Sequence, residues 1–513
     1  MRRLSIPAIL LLGAAAGLTA AGAHAQRTLL PDSPIGALAT AWLEAFNSGD
    51  VAAMRAFNEA HLRPADLEER SMEERLNAYR RISGEVGAMK LIEVMGMRRS
   101  RIVLLAESAT GERIAVSIEA DPDDPERIAS VLLEPADEEG EPVETGLPMT
   151  EAALRDSIDA WVERNVAADR FAGVIRLVDG DRTVYERAAG LAERRFDVPN
   201  TIDTRFNIGS ITKLFTKIAI AKLMSEGEIA PEDRLSKHLP DYRRDVADRI
   251  TIAQLLEHES GLGDIFGPEY DAIDKSHLRE LSDFLPLFVE EPLRFEPGTD
   301  RYYSNAGYTV LGLVIERLSG MEYHEYVRRV VYEPAGMIAS GPTEADRPTP
   351  NLATGYTRRP LGRDRGAAAD HAHDPQDARA AADRTWELRA NTHHLAGLSG
   401  SAGGGHSNAA DLDRFARAFR HDVLLPPPYT LWVLGGEVPK PDARPAPSLT
   451  TFPPGAAVGV AGGAEGLNAV LEIYLDRDLT LVVLANMDPP IAEEAGRKIR
   501  GWMRRAGLVR GKP

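Results

Sequence analysis

Two strand-pair signatures bracket a long helical stretch, and that bracketing limits the fold more than any other feature of the sequence. The first, "AGVIRLVDGDRTVYERAAG", carries its turn at Asp179-Gly180, a hairpin signal. The second, "AVLEIYLDRDLTLVVLANMD", turns at Asp476 to Asp478. Strands at both ends of one region, with helices between them, predict a single antiparallel sheet flanked by helices. A helix, "EAALRDSIDAWVERNV", precedes the first hairpin, and another, "IAEEAGRKIRGWMRRAG", follows the second. The latter has Glu493 and Glu494 early and Arg504 and Arg505 late, which matches the helix dipole. The region reads as one α-β domain over residues 150–507.

A smaller unit precedes it, over residues 29–135. In "IGALATAWLEAFNSGD", Leu38, Trp42 and Phe46 fall at i, i+4 and i+8, an amphipathic helix. Asp50 is placed to cap a second helix, "VAAMRAFNEAHL". Four strand-like runs follow: "MKLIEVMGM", "SRIVLLAES", "RIAVSIEAD" and "IASVLLEP". Helices followed by an antiparallel sheet predict an α+β unit. "AFNSGD" after an amphipathic helix resembles the opening of the NTF2-like family. The acidic, Gly/Pro-containing segment over residues 136–149 reads as a linker.

At the N-terminus, Arg2 and Arg3 precede an apolar stretch, and "AHA" (Ala23 to Ala25) matches a cleavage site, so residues 1–25 read as a secretory signal peptide. An uncleaved anchor is the alternative. A secreted or periplasmic protein with no span after cleavage is expected. The chain has no cysteine, which excludes disulfides, thiolate metal sites and a Cys nucleophile. Its net charge of −18 argues against a nucleic-acid partner.

The chemistry concentrates in "TRFNIGSITKLFTKIAIAKLMSEGEI". Ser210 follows Gly209 at the head of a long helix, with Phe215, Ile218, Ala219 and Leu223 on one face. A serine there gains from the helix dipole and from free backbone N–H groups that can bind an oxyanion. Lys213, three residues on, is its neighbour on the helix and can take the hydroxyl proton if desolvated. By itself, S-x-x-K is common by chance, and Ser210 then reads as a helix cap and Lys213 as a solvated cation. A second segment, "FEPGTDRYYSNAGYTVLGLVIERLSG", places Tyr303, Ser304 and Asn305 on a turn before a helix. A Tyr hydroxyl beside a Lys ammonium is expected to have its pKa lowered and to serve as a base. Asn305 offers an amide to orient Lys213 or a substrate. Taken alone, this turn could be structural.

The two motifs in this order resemble the serine β-lactamase-related family, which groups class C β-lactamases, D-alanyl-D-alanine carboxypeptidases, D-aminopeptidases and related esterases. "TIAQLLEHESGLGD", "GSAGGGHSNAADLDRFARAF" and the terminal hairpin are similar to further segments of that family. The resemblance implies a β-lactamase/transpeptidase-like fold with a helical subdomain. It also implies that Ser210 is a nucleophile forming an acyl-enzyme, that Lys213 and Tyr303 share the proton transfers, and that Asn305 orients Lys213 and substrate. A water activated by Tyr303 would then release the acyl group, and no metal or cofactor is implied.

"GVAGGAEG" (Gly459 to Gly466) lacks the Lys-Ser/Thr of a phosphate loop, since Leu467 and Asn468 follow it. Its sequel alternates like a strand rather than opening a dinucleotide-binding helix. The resemblance aligns it with the family's edge strand, in which Gly462 holds the motif glycine. Gly463 would then supply the second oxyanion N–H beside that of Ser210. Val460 stands where the family has His or Lys, which turns the expectation from carboxylate-bearing substrates toward a neutral ester or amide.

Other histidines draw weaker readings. His258 in "LLEHESGL" invites a Ser-His pair but reads as structural. His371, His373, His393 and His394 match no ligand spacing. His406, after the glycine run, is placed near the pocket mouth. The reading is a secreted serine hydrolase of small-molecule, peptide or ester substrates. A non-catalytic relative that binds cell-wall fragments or a partner is the alternative.

Overall fold

The computed structural model describes residues 30–63, 66, 71–98, 100–109, 113–121, 124–136, 148–358, 387–392, 395–434 and 456–509. The expected leader, most of the linker, and His371, His373, His393 and His394 lie outside these residues. The chain divides into two compact units, one drawn from Met1–Leu154 and Arg497–Leu508, the other from Arg155–Gly496 and Val509–Pro513.

Among the described residues of the first unit, three helices precede four strands: α1 (Pro34–Asn47), α2 (Val51–His61), α3 (Met72–Val86), β1 (Lys90–Arg98), β2 (Arg101–Glu107), β3 (Arg113–Ala120) and β4 (Ile128–Pro135). The strands form an antiparallel meander in the order β1-β2-β3-β4. Ser33 caps α1 by accepting the Gly36 N–H at 3.2 Å, and Pro34 opens the helix at a position that needs no N–H. Leu38, Trp42 and Phe46 are buried together with Tyr79, Ile102, Leu104, Val116 and Ile118. The helix α3 is an element the sequence reading passed over. Its signal is the capping box of Ser71 and Glu74, in which each residue bonds the other's backbone N–H.

The second unit is built on five antiparallel strands. They are β5 (Gly173–Asp179), β6 (Arg182–Ala189), β9 (Ala457–Ala464), β10 (Leu467–Tyr474) and β11 (Leu479–Ala485); of the short strands between β6 and β9, β7 (Phe206–Asn207) and β8 (His406–Ser407) pair with each other outside this sheet. The sheet order is β9-β10-β11-β5-β6, so the two bracketing hairpins do meet. The junction is β11 against β5, from Leu479 opposite Asp179 to Ala485 opposite Gly173. Both β10 and β11 are buried along their whole length, as expected for strands covered on two faces. Helix α4 (Glu151–Ala167), which belongs to this unit from Arg155 onward, precedes the sheet; α5 (Thr212–Ser225), α6 (Asn305–Ser319) and α7 (Ala409–Arg420) follow, and α8 (Ile491–Arg505) belongs to it only as far as Gly496. The helices α5 and α6 pack on each other, and α7 packs on β11 and β5.

One expectation changes here. The sequence placed Phe215, Ile218, Ala219 and Leu223 on a single buried face of α5. The helix is instead buried nearly all round, with Thr212, Lys213, Leu214, Thr216, Ile220 and Met224 enclosed too. It runs through the centre of the core, so its lysine is carried out of water.

Candidate active site

The strand β7 enters the site by pairing with β8, Asn207 opposite His406 and Phe206 opposite Ser407. The chain then turns through Gly209, whose φ of +51° suits glycine. Any Cβ there would lie 3.1 Å from Gly463 N and 3.0 Å from Leu467 Cδ1. A short 3₁₀ turn, Gly209–Ile211, leads directly into α5 and carries Ser210 at the helix head. Asn207 Oδ1 steadies this turn by accepting the Gly209 N–H at 2.9 Å.

Ser210 Oγ lies 2.7 Å from Tyr303 Oη and 3.2 Å from Lys213 Nζ. Lys213 Nζ also donates to Asn305 Oδ1 at 2.6 Å and to the carbonyl of Ala402, in the glycine-rich segment before β8. Two of the residues singled out by the sequence motifs, Lys213 and Tyr303, therefore meet at the Ser210 hydroxyl, and Asn305 joins them through Lys213. The ammonium lies 4.8 Å from the centre of the Tyr303 ring and 5.6 Å from that of Tyr308.

Burial decides the electrostatics. Lys213 is only 6% exposed. Its desolvation lowers its pKa to about 7, against a smaller opposing pull from the Asp264 charge. Holding the charged form there costs roughly 5 kcal/mol relative to an ordinary lysine. Tyr303 behaves opposite to the sequence expectation. Its pKa is raised, because desolvation outweighs the hydrogen bond to Ser210. Near neutral pH the phenol keeps its proton, and the group able to accept one is the lysine amine. The phenol side chain is still 49% exposed, so it remains open to a reactant.

His258 does not touch Ser210. It sits at φ +63°, its Nδ1 accepts the Ser304 N–H at 3.2 Å, and its ring lies against Tyr303 at 4.6 Å and Tyr308 at 5.1 Å. Desolvation, then the nearby Lys213 charge, lowers its pKa to about 4, so it is a neutral buttress for the tyrosine. The strained backbone at such a position fits a residue held in place by its surroundings. His406 departs from the expectation of a pocket-mouth residue. It is buried in β8, and desolvation lowers its pKa to about 4.

The edge strand β9 passes beside the Ser210 turn. A Cβ on Gly462 would come within 2.1 Å of the Ile208 carbonyl oxygen and 2.9 Å of Ser210 N, so only glycine fits. One on Gly463 would meet Pro489 at 2.9 Å. Val460, on the same face of the strand as Gly462, packs against the core and brings no charge to the site.

Two groups of the site went unnoticed in the sequence. One is the Ala402 carbonyl. The other is Asp264, whose two carboxylate oxygens each accept from Asn305 Nδ2 at 2.9 Å. The only signal for Asp264 was an acidic residue just after "SGLG". A cavity of about 220 Å³ also opens in this unit, lined by Asn207, Thr343, Thr354, Asn391 and Asn486. Its lining includes none of Ser210, Lys213, Tyr303 and Asn305.

A family model described as Beta-lactamase matches residues 158–502. The chain belongs to the beta-lactamase family. Esterase EstB of Burkholderia gladioli is 33% identical over 216 residues, 39% of this chain and 55% of the esterase. Penicillin-binding protein 4* of Bacillus subtilis is 31% identical over 170 residues, 33% of this chain and 37% of the relative. The chain thus spans about half, or less, of the length of these curated relatives. Among solved structures, a penicillin-binding protein from Bacillus halodurans is 26% identical with a TM-score of 0.53, covering 68% of this chain and 98% of that one. The antiparallel sheet with its flanking helices is the beta-lactamase fold. The matched residues contain Ser210, Lys213, Tyr303 and Asn305 and begin after the first unit's strands. Among the described residues, no helix is long and apolar enough to cross a membrane.

Proposed function

We propose that the protein is a secreted serine hydrolase that cleaves a neutral ester or amide through an acyl-enzyme on Ser210. The observation that carries this reading is the position of Ser210 Oγ between Tyr303 Oη at 2.7 Å and a desolvated Lys213 Nζ at 3.2 Å. The neutral amine of Lys213 takes the Ser210 proton as Oγ attacks the carbonyl carbon. The oxyanion then faces the N–H groups of Ser210 and Gly463, brought near each other by the close approach of β9. Tyr303, still protonated, gives its proton to the leaving group and is resupplied by Lys213. Deacylation runs the same relay in reverse, with a water giving up its proton to the Lys213–Tyr303 pair.

Val460 supplies no cation to hold a substrate carboxylate, which favours a neutral substrate. The esterase among the relatives supports an ester. Residues 1–25 are assigned as a cleaved leader that directs the protein to the periplasm or beyond. Residues 29–135 are assigned as an NTF2-like accessory domain, 136–149 as a linker, and 150–507 as the hydrolase domain.

A fluorophosphonate probe should label the wild-type protein and fail to label Ser210→Ala. Parallel assays with p-nitrophenyl esters, nitrocefin and D-amino-acid amides should show turnover of the esters foremost. Equal labelling of the variant would sink the assignment.

A further inference from the structure

We propose that Asp264 is the positioning residue of the proton-transfer pair, holding the Asn305 amide with its oxygen turned toward Lys213 Nζ. The inference rests on the Ser210 acyl-enzyme reading and extends it to the group that orients its base. An asparagine amide is nearly symmetric in shape, so the cavity alone cannot fix which end faces the lysine. A carboxylate only accepts hydrogen bonds. Asp264 offers both oxygens to Asn305 Nδ2 at 2.9 Å, which forces the NH₂ group toward the acid and Oδ1 toward Nζ at 2.6 Å.

The orientation matters chemically. A flipped amide would donate an N–H to the amine lone pair, the same lone pair that must receive the Ser210 proton. With Oδ1 facing it, the amine donates one hydrogen to Asn305 and another to the Ala402 carbonyl. Its lone pair is then free for Ser210.

The acid is itself held. Asp264 Oδ1 accepts the Phe266 N–H at 3.1 Å, the Gly263 carbonyl accepts the Ser304 hydroxyl at 2.6 Å, and the Gly261 carbonyl accepts the Arg294 N–H at 2.8 Å. Asn305 is 8% exposed, so an unclamped amide would have little water to satisfy it. The groups around the amine are Asp264 on its loop, His258 behind the tyrosines, and Tyr303 and Tyr308 from α6 and the turn before it. Of these, Asp264 is the one whose charge favours the ammonium.

The test is the pH profile of p-nitrophenyl acetate hydrolysis by the full chain. Asp264→Asn removes the charge that favours the ammonium. Its acidic limb of kcat/KM should move down by about one pH unit. Its kcat should fall about tenfold while KM changes less than about twofold. The exchange variant Asp264→Asn with Asn305→Asp restores a donor facing an acceptor but puts the charge beside the amine, so its limb should move above that of wild type. A merely structural Asp264 would lower the melting temperature and leave both limbs in place, and that result overturns the proposal. Fluorophosphonate labelling of wild type separates the two levels. Absence of labelling brings down the Ser210 reading and this inference with it. Labelling together with unmoved limbs brings down Asp264 alone.

Discussion

Two serines head two neighbouring helices in this site, and they spend their hydroxyls differently. Ser304 heads α6 as a true cap: its Oγ accepts the Gly307 N–H at 2.9 Å and donates to the Gly263 carbonyl at 2.6 Å. It is 1% exposed. Ser210 heads α5 through a 3₁₀ turn and makes no capping bond there. Its Oγ faces Tyr303 and Lys213 instead. The same residue type at the same kind of helix end is thus a stability device in one case and a reactive group in the other. What separates them is the direction of the hydroxyl, which the preceding Gly209 turn sets.

The comparison is open to experiment. Ser210→Ala should cost the largest activity, about a thousandfold or more in kcat. It should shift stability by no more than about 0.5 kcal/mol, because no helix cap is lost. Denaturant titration beside an ester assay checks both. A large loss of stability would make Ser210 a cap after all.

Lys213→Met should also abolish turnover but stabilise the fold. The wild-type lysine has a folded pKa near 7 against an ordinary 10.5, so the folded state binds fewer protons than the unfolded state between those values. Wild-type stability therefore rises with pH across that window, and the full penalty applies below it. Because Met also leaves Asn305 Oδ1 and the Ala402 carbonyl without their donor, which offsets part of that penalty, the variant should be more stable by about 2 kcal/mol at pH 6, and its advantage should shrink toward pH 10. Urea unfolding at the two pH values measures this. A pH-independent difference would mean that Lys213 is not desolvated.

Ser304→Ala is the converse of Ser210→Ala. It should cost about 1–2 kcal/mol of stability through the lost cap and the unpaired Gly263 carbonyl. Its kcat should fall less than about tenfold, which steady-state kinetics on the ester will show. The smallest effect is expected of Val460→His. It should raise turnover of a carboxylate-bearing D-alanyl peptide relative to the ester by about threefold. An unchanged ratio would remove β9 from substrate recognition.

Much of this was legible in the chain. The Ser210/Lys213 spacing puts both on one side of a helix, and Tyr303 and Asn305 flank a helix start, so local geometry already grouped them in pairs. The hairpins at 179–180 and 476–478 announced themselves by turn residues and strand patterning, and β11 meets β5 as their bracketing required. The helix α3 was missed because its residues are mostly polar, although the Ser71 and Glu74 box marked its start. Asp264 was missed because its partner Asn305 is 41 residues away, and no local pattern records such a pairing.

The sequence by itself determined which residue types were available and where each helix and strand could begin, because those depend on periodicity, caps and turns over a few residues. The protonation states belong to the tertiary structure. An amine is a solvated cation or a base according to what surrounds it. Only the packed core around α5, with Tyr303, Tyr308 and the Ala402 carbonyl closing over Nζ, takes the water away from Lys213. Partial desolvation of the phenol keeps the proton on Tyr303, the residue that the motif alone pointed to as the base.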